Sequence, residues 1–360
     1  MIGVYVHIPF CVKKCNYCDF NSFDNKNSLK QRYAEKIIEE INNFEGDLNA
    51  DTVFFGGGTP TALEQDLLQR IILAVNNKFN TTDCEFSMEA NPATINSEGL
   101  LLLHKNGVNR LSIGLQSANN DELKALGRIH CFEDFVSTYC MAREAGFDNI
   151  NTDIMFGIPN QTLDSFKRTL EEVVKLKPEH VSCYSLIIEQ GTPFYNMNLN
   201  LPDEETERKM YYYAVSYLQQ NGYIQYEISN FAKKSMQCRH NIKYWERKNY
   251  VGFGAGASSL IENVRYKNSE KLIQYIENNM PEKEILTMSD ALAEHIFLGL
   301  RKTDGFNIKE TERLYNIEFY QKYKTVIDKY LKLNLITYGE NMALTKEGVS
   351  VSNIIMSDFM

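Results

Sequence analysis

The chain has little that would suit a membrane, a polyanion or an oxidising compartment. Its apolar runs fall far short of the ~20 residues a membrane-spanning helix needs. Positive charge is in deficit: 38 Lys and Arg stand against 47 Asp and Glu, a formal net charge of −9. That balance argues against a general nucleic-acid or anionic-membrane surface. No internal repeat or low-complexity segment interrupts the sequence, and 43% hydrophobic with 24% charged residues is an ordinary globular composition. Nor is there room for a signal peptide, because Met1-Ile2-Gly3-Val4-Tyr5 leads directly into the first motif. A cytoplasmic location is therefore expected. In that reducing setting the eight cysteines do not read as a disulfide framework.

What is present is a regular alternation. Val4–Ile8, Asp51–Phe55, Cys84–Met88, Arg110–Gly114, Asn151–Met155 and His180–Leu186 read as six strands. Between them the apolar spacing predicts helices over Ser28–Phe44, Glu64–Lys78, Ser97–Asn106, Phe132–Ala145 and Leu163–Leu176. Six strand–helix units imply parallel strands and right-handed crossovers, as an open sheet or a barrel, an α/β fold. Functional groups in such folds gather at the carboxyl ends of the strands. A cysteine cluster follows the first strand, Gly56-Gly57-Gly58 the second, Glu89 the third and Gln116 the fourth, and Asp153 sits in the fifth.

At 360 residues the chain exceeds what one core usually fills, so a large domain plus a smaller one is expected. The divisions expected are residues 1–200 for the strand–helix alternation, 201–265 for an extension, and 266–360 for a C-terminal α+β module. The extension opens with a tyrosine-rich helix over Glu204–Asn221. The module ends in Leu335–Thr345, which has the pattern of a β-hairpin and suggests a winged-helix-like piece. The run Gly252-Phe-Gly-Ala-Gly-Ala-Ser258 lacks the context of a dinucleotide loop and reads as close backbone packing near the functional site.

Three of the eight cysteines, Cys11, Cys15 and Cys18, fall in a CxxxCxxC spacing on one loop. Three thiolates can each take one iron of a 4Fe–4S cubane, which normally has four cysteine ligands, and leave the fourth iron open to a small molecule. A zinc site is the alternative, although zinc commonly uses paired CxxC arms and a fourth protein ligand.

CxxxCxxC with Tyr17 before the last cysteine resembles the signature of the radical S-adenosylmethionine (SAM) superfamily, and Gly56-Gly57-Gly58-Thr59-Pro60 resembles its Gly-rich SAM-binding segment. The strings Tyr5-Val-His-Ile-Pro-Phe-Cys11, Glu89-Ala-Asn-Pro92, Gly114-Leu-Gln-Ser117 and Asp153-Ile-Met-Phe-Gly-Ile-Pro-Asn-Gln-Thr162 narrow the likeness. Together they resemble the oxygen-independent coproporphyrinogen III oxidase family and its relatives, the HemW-type haem chaperones. The resemblance covers nearly the whole chain. It implies a partial (β/α)6 barrel, a cluster on Cys11, Cys15 and Cys18, and SAM contacts at Tyr5, Tyr17, Gly57, Gly58, Thr59, Glu89, Gln116, Arg128 and Asp153. Those residue types suit the ligand: carboxylates accept from ammonium or hydroxyl groups, and an arginine pairs with a carboxylate.

Two departures separate the branches of that family. The oxidases resemble this chain but carry a further cysteine two positions after the third, where Phe20 stands here, and an arm before the cysteine motif. Cys238-Arg-His240-Asn-Ile-Lys-Tyr244-Trp245 contains HNxxYW, which resembles the haem-binding motif of the chaperone branch. The resemblance implies that His240 ligates haem iron, with Tyr244 and the single tryptophan, Trp245, against the macrocycle. A hydrogen-bonded structural histidine is the alternative. The reading reached is a haem chaperone binding haem, the cluster and SAM, without an assigned catalytic residue. It would deliver haem to an acceptor protein, with transient contact to membrane-bound acceptors and no membrane segment of its own. The competing function is coproporphyrinogen dehydrogenation, the radical oxidative decarboxylation of propionates.

Overall fold

The computed structural model describes residues 1–360. Six strands alternate with helices: β1 (Ile2–Ile8), α1 (Lys30–Asn42), β2 (Ala50–Gly57), α2 (Gln65–Lys78), β3 (Glu85–Ala90), α3 (Ser97–Lys105), β4 (Arg110–Gln116), α4 (Asn120–Ala125), α5 (Phe132–Glu144), β5 (Ile150–Phe156), α6 (Leu163–Leu176) and β6 (His180–Ser185). Then come α7 (Glu204–Gln220), β7 (Ile224–Gln225), β8 (Asn230–Ala232), α8 (Arg239–Trp245), β9 (Tyr250–Phe253), β10 (Ser258–Ile261), β11 (Val264–Lys267), α9 (Leu272–Asn278) and β12 (Glu282–Ile285). All twelve strands share one sheet, ordered β12-β11-β10-β9-β1-β2-β3-β4-β5-β6-β8-β7. Strands β1 to β6 run parallel in sequence order, as the partial barrel requires.

Strand alternation sorts the side chains. Val4, Val6, Ile8, Val53, Phe55, Phe86, Met88, Leu111, Ile113, Leu115 and Ile154 join the main apolar core under the helices. The alternate positions, which period two sends to the opposite face, carry Tyr5, Thr52, Glu85, Ser87, Glu89, Arg110, Ser112, Asn151, Asp153 and Ser182. That face is mostly polar, with Phe54 and Met155 as apolar exceptions. Its groups are satisfied mainly by one another: Asn151 donates to Ser112 Oγ and Asp153 Oδ1, both at 2.7 Å, and Ser182 donates to Asn151 Oδ1 at 3.1 Å.

Local chemistry sets the helix ends. Thr162 accepts from the Ser165 amide to start α6, and Lys177 at φ 57° stops it. The glycine-rich stretch at the end of β9 packs closely on β1 and α1: a Cβ on Gly254 would stand 2.5 Å from the Tyr33 hydroxyl and 2.6 Å from the His7 carbonyl.

The C-terminal module contains α10 (Met288–Gly299), β13 (Phe306–Asn307), α11 (Ile308–Tyr315), α12 (Phe319–Lys332), β14 (Ile336–Tyr338) and β15 (Asn341–Leu344), followed by two short helices. It has its own core, including Leu292, Ile296, Phe319, Ile327, Tyr330 and Met342. The division expected at residue 265 falls inside β11, because β11 and β12 pair and extend the main sheet through Ile285. Leu272 and Tyr275 also pack in the main core, so the smaller unit begins near α10. No helix is long and apolar enough to cross a membrane.

Candidate functional site

The cysteine loop leaves the carboxyl end of β1 and is pinned at its base, where the Cys11 amide donates to Phe23 O at 3.0 Å and the Phe23 amide to Pro9 O at 2.7 Å. Its middle is held from two sides: the Asn16 amide donates to Leu126 O and the Phe194 amide to Asn16 O, both at 3.0 Å. Cys11, Cys15 and Cys18 are free thiols of intermediate exposure. Each meets a different partner. Thr59 Oγ1 donates to Cys11 Sγ at 3.6 Å, Arg128 Nη1 to Cys15 Sγ at 3.5 Å, and Cys18 Sγ lies 3.9 Å from Ser22 Oγ. Burial pushes the Cys11 and Cys18 thiols above their usual pKa, and the Thr59 hydroxyl pulls Cys11 part of the way back. No three acidic, histidine or cysteine side chains converge to hold a single metal ion. A cubane, which takes one thiolate per iron, asks for sulfurs spread apart.

The residues named at the strand ends surround this loop. Gly57 has φ +112°, and a Cβ there would lie 2.4 Å from the His7 ring, so only glycine fits. The amides of Gly58 and Thr59 are taken by Ile8 O and Phe10 O, both at 2.8 Å, which lays the end of β2 across the end of β1. The Gly57 amide donates to Glu89 Oε2 at 3.1 Å. Burial first, and then the charge of Asp153, push the Glu89 carboxyl up to about 8. Burial also raises Asp153, against hydrogen bonds from Ser182, Asn151 and Ser112. Gln116, at φ 72°, accepts from the Tyr184 hydroxyl at 3.1 Å. Tyr5 is buried beside Glu89, and its hydroxyl lies 2.9 Å from His7 Nδ1. Tyr17 packs with Leu126, Met155, Leu186 and Phe194, close enough to Arg128 and Asp153 to feel both charges.

Donor set and cradle fit a three-cysteine cluster with a small zwitterionic cation above it. Arg128 holds a buried Nε without a partner, and Glu89 and Asp153 are buried carboxyls with no salt-bridge partner. Two contributors went unread in the sequence. Tyr184 ends β6 and would have followed from the same strand-end rule. Asn91, inside the Glu89–Pro92 string, accepts from Arg128 Nη2 and donates to Thr59 Oγ1, both at 2.7 Å.

His240 is elsewhere. Helix α8 crosses the amino ends of β1 to β3: Lys243 pairs with Asp51 at 2.9 Å, and Glu85 accepts from the Arg239 and His240 amides at 2.9 and 3.1 Å. The His240 ring is 1% exposed. Its Nδ1 lies 2.8 Å from Thr52 Oγ1 and its Nε2 2.8 Å from Tyr244 Oη. Both nitrogens are used, and burial pushes the imidazole down to about 3. Thr52 lies five residues before Gly57 on β2, about 17 Å at ~3.3 Å per residue, so this ring sits at the opposite end of the barrel from the cysteines. In this conformation it offers no lone pair to haem iron. Arg301 of the C-terminal module stacks over one face of the Trp245 ring at 4.6 Å.

Comparison with known proteins identifies the family. The sequence profile of the radical SAM superfamily matches residues 5–173, and that of the HemN C-terminal domain matches residues 286–351. The chain is 36% identical to the heme chaperone HemW of Bacillus subtilis, covering 100% of this chain and 99% of that protein. It is 34% identical to the heme chaperone HemW of Lactococcus lactis, covering 99% and 97%. A solved structure, the coproporphyrinogen III oxidase HemN of Escherichia coli, superposes with a TM-score of 0.89 at 24% identity, over 99% of this chain and 89% of that one. That likeness speaks to the fold. With full-length relatives at this level of identity, the chain belongs to the HemW family of radical SAM proteins.

Proposed function

We propose that this protein is a haem chaperone that carries a 4Fe–4S cluster on Cys11, Cys15 and Cys18, binds SAM beside it, and passes haem to acceptor proteins in the cytoplasm. The observation that carries the reading is the cysteine loop: three half-exposed thiols, each facing its own partner, at the mouth of a barrel whose strand ends supply buried carboxyls and an arginine. Haem as cargo is supported by the full-length relatives named heme chaperones.

When bound, the cluster and SAM supply one-electron and radical chemistry. The chain's own residues position and shield. Arg128, reaching Cys15 and Asn91, presents a guanidinium where a ligand carboxylate can pair with it. Glu89 stays largely protonated at neutral pH until a cation arrives, and Asp153 is held ready by three neutral donors. Tyr5, Gly57, Gly58, Thr59 and Gln116 complete the SAM cradle, and Tyr17 packs beside it on its apolar neighbours. His240 enters as a packed residue at the base of the barrel rather than as the iron ligand. The cradle lies within residues 1–200, and the strands that follow extend the sheet.

Anaerobic reconstitution followed by titration tests the reading. Stoichiometric haem uptake followed by optical spectra, with coproporphyrinogen III left unchanged in the presence of SAM, is the expected result. Vinyl products formed in step with 5′-deoxyadenosine would overturn it in favour of a dehydrogenase.

A further inference from the structure

Asn91 occupies an unusual electrical position. Its amide is the only group that touches both Arg128 and Thr59, and each of these donates to a different cluster cysteine. Donor and acceptor chemistry fixes every proton in the chain. A guanidinium can only donate, so the atom of Asn91 facing Arg128 Nη2 at 2.7 Å is the carbonyl oxygen. The NH2 then faces Thr59, and because that nitrogen can only donate, the Thr59 hydroxyl accepts from it at 2.7 Å. The single Thr59 proton is thereby directed elsewhere, and Cys11 Sγ at 3.6 Å is where it points. Arg128 is held in turn by Gly114 O at 2.8 Å, so it cannot swing away from Cys15.

We infer that Asn91 is a positioning residue that sets the reduction potential of the cluster, by aiming the Thr59 hydroxyl at Cys11 and the Arg128 guanidinium at Cys15. The inference rests on the cluster reading above. Hydrogen bonds to cluster sulfurs stabilise the more negative, reduced state and raise the potential, and residues outside the ligand shell are an established means of tuning it.

The polarity of the relay makes the test specific. Asn91→Asp replaces the NH2 by an acceptor, so the Thr59 proton turns towards residue 91 and away from Cys11. Thr59→Val removes the same donor at nearly constant volume. Asn91→Leu leaves Thr59 free to go on donating to Cys11. The protein is reconstituted anaerobically without SAM, its iron is counted, and its midpoint potential is measured by EPR-monitored redox titration. Asn91→Asp and Thr59→Val are each expected to make reduction about tenfold harder, a fall of about 59 mV for a one-electron couple. Asn91→Leu is expected to fall by less than either. Normal iron content with an unmoved potential in Asn91→Asp and Thr59→Val would overturn the relay alone. A wild-type chain that takes up no iron would overturn the cluster reading, and the relay with it.

Discussion

Replacing His240 by alanine is expected to weaken the fold and leave haem uptake intact. The ring is held by Thr52 Oγ1 and Tyr244 Oη, both at 2.8 Å, stacks on Phe54 at 5.4 Å and meets Tyr244 edge-on at 4.8 Å. Removing it deletes two hydrogen bonds, each worth about 1 kcal/mol net, leaves buried hydroxyls short of a partner, and opens a cavity among aromatic rings. Together these put the cost at about 3–5 kcal/mol. Denaturant unfolding of the cluster-free protein measures it, with an unchanged m-value as the sign that only stability moved. A pH series adds a second signature. Burial holds the folded imidazole at about 3, below the unfolded value of 6.5, so its contribution is complete above pH 6.5. Below that the unfolded chain takes the proton, and the contribution is lost at roughly 1.4 kcal/mol per pH unit until the folded group titrates. The gap between wild type and His240→Ala therefore narrows as pH falls from 6.5. A variant of full stability that no longer binds haem would refute the reasoning and return His240 to the role of iron ligand.

Cys15→Ala, and equally Cys11→Ala or Cys18→Ala, is expected to lose nearly all of the roughly four irons a reconstituted chain should hold, as iron analysis would show. Retention of the full complement would remove that cysteine from the ligand set. Glu89, raised to about 8, is mostly protonated at pH 7, and a sulfonium cation bound beside it lowers its pKa, so SAM binding releases a proton. Titration heats that do not differ between buffers of unlike ionisation enthalpy would contradict this. Arg110 is fully buried, with Glu85 among its charge partners, so Arg110→Met removes a favourable charge from a carboxylate that the α8 amides still hold, and denaturant unfolding should register a loss of stability. Adding Glu85→Gln should recover a good part of that loss, and strict additivity of the two would show that they do not interact.

The elements written by local periodicity were legible in the sequence. The helix expected over Leu163–Leu176 occurs with those bounds because its cap threonine and its left-handed stop flank an amphipathic face. The strands start and end within about two residues of their expected positions. What long-range pairing decides was not legible. Nothing near Tyr250–Phe253 announces a parallel partner at Gly3–Val6, and β11 and β12 look like a loop until their pairing carries the sheet on to Ile285. The cysteines stood out by their spacing, and Gly57, Gly58, Glu89, Gln116 and Asp153 by their places along the expected strands, which requires only topology. His240 was placed by motif likeness, and the same residue types serve equally to plug a barrel. Which role applies depends on the end of the strands that α8 crosses, a fact that residue order alone does not carry.

The position of β1 bears on how the protein is made. Its two neighbours are β2 and β9, and Gly3 pairs with Tyr250. At about 5–20 residues per second, a ribosome needs roughly 10–50 s to pass from one to the other. Arg128 follows Cys15 by 113 residues, so during much of that interval the thiols stand outside the tunnel without their donors. Metal captured then would meet bare, solvated sulfurs with no cradle to select a cubane. The order of synthesis therefore favours loading the cluster after release, onto a chain in which β9 has already paired with β1.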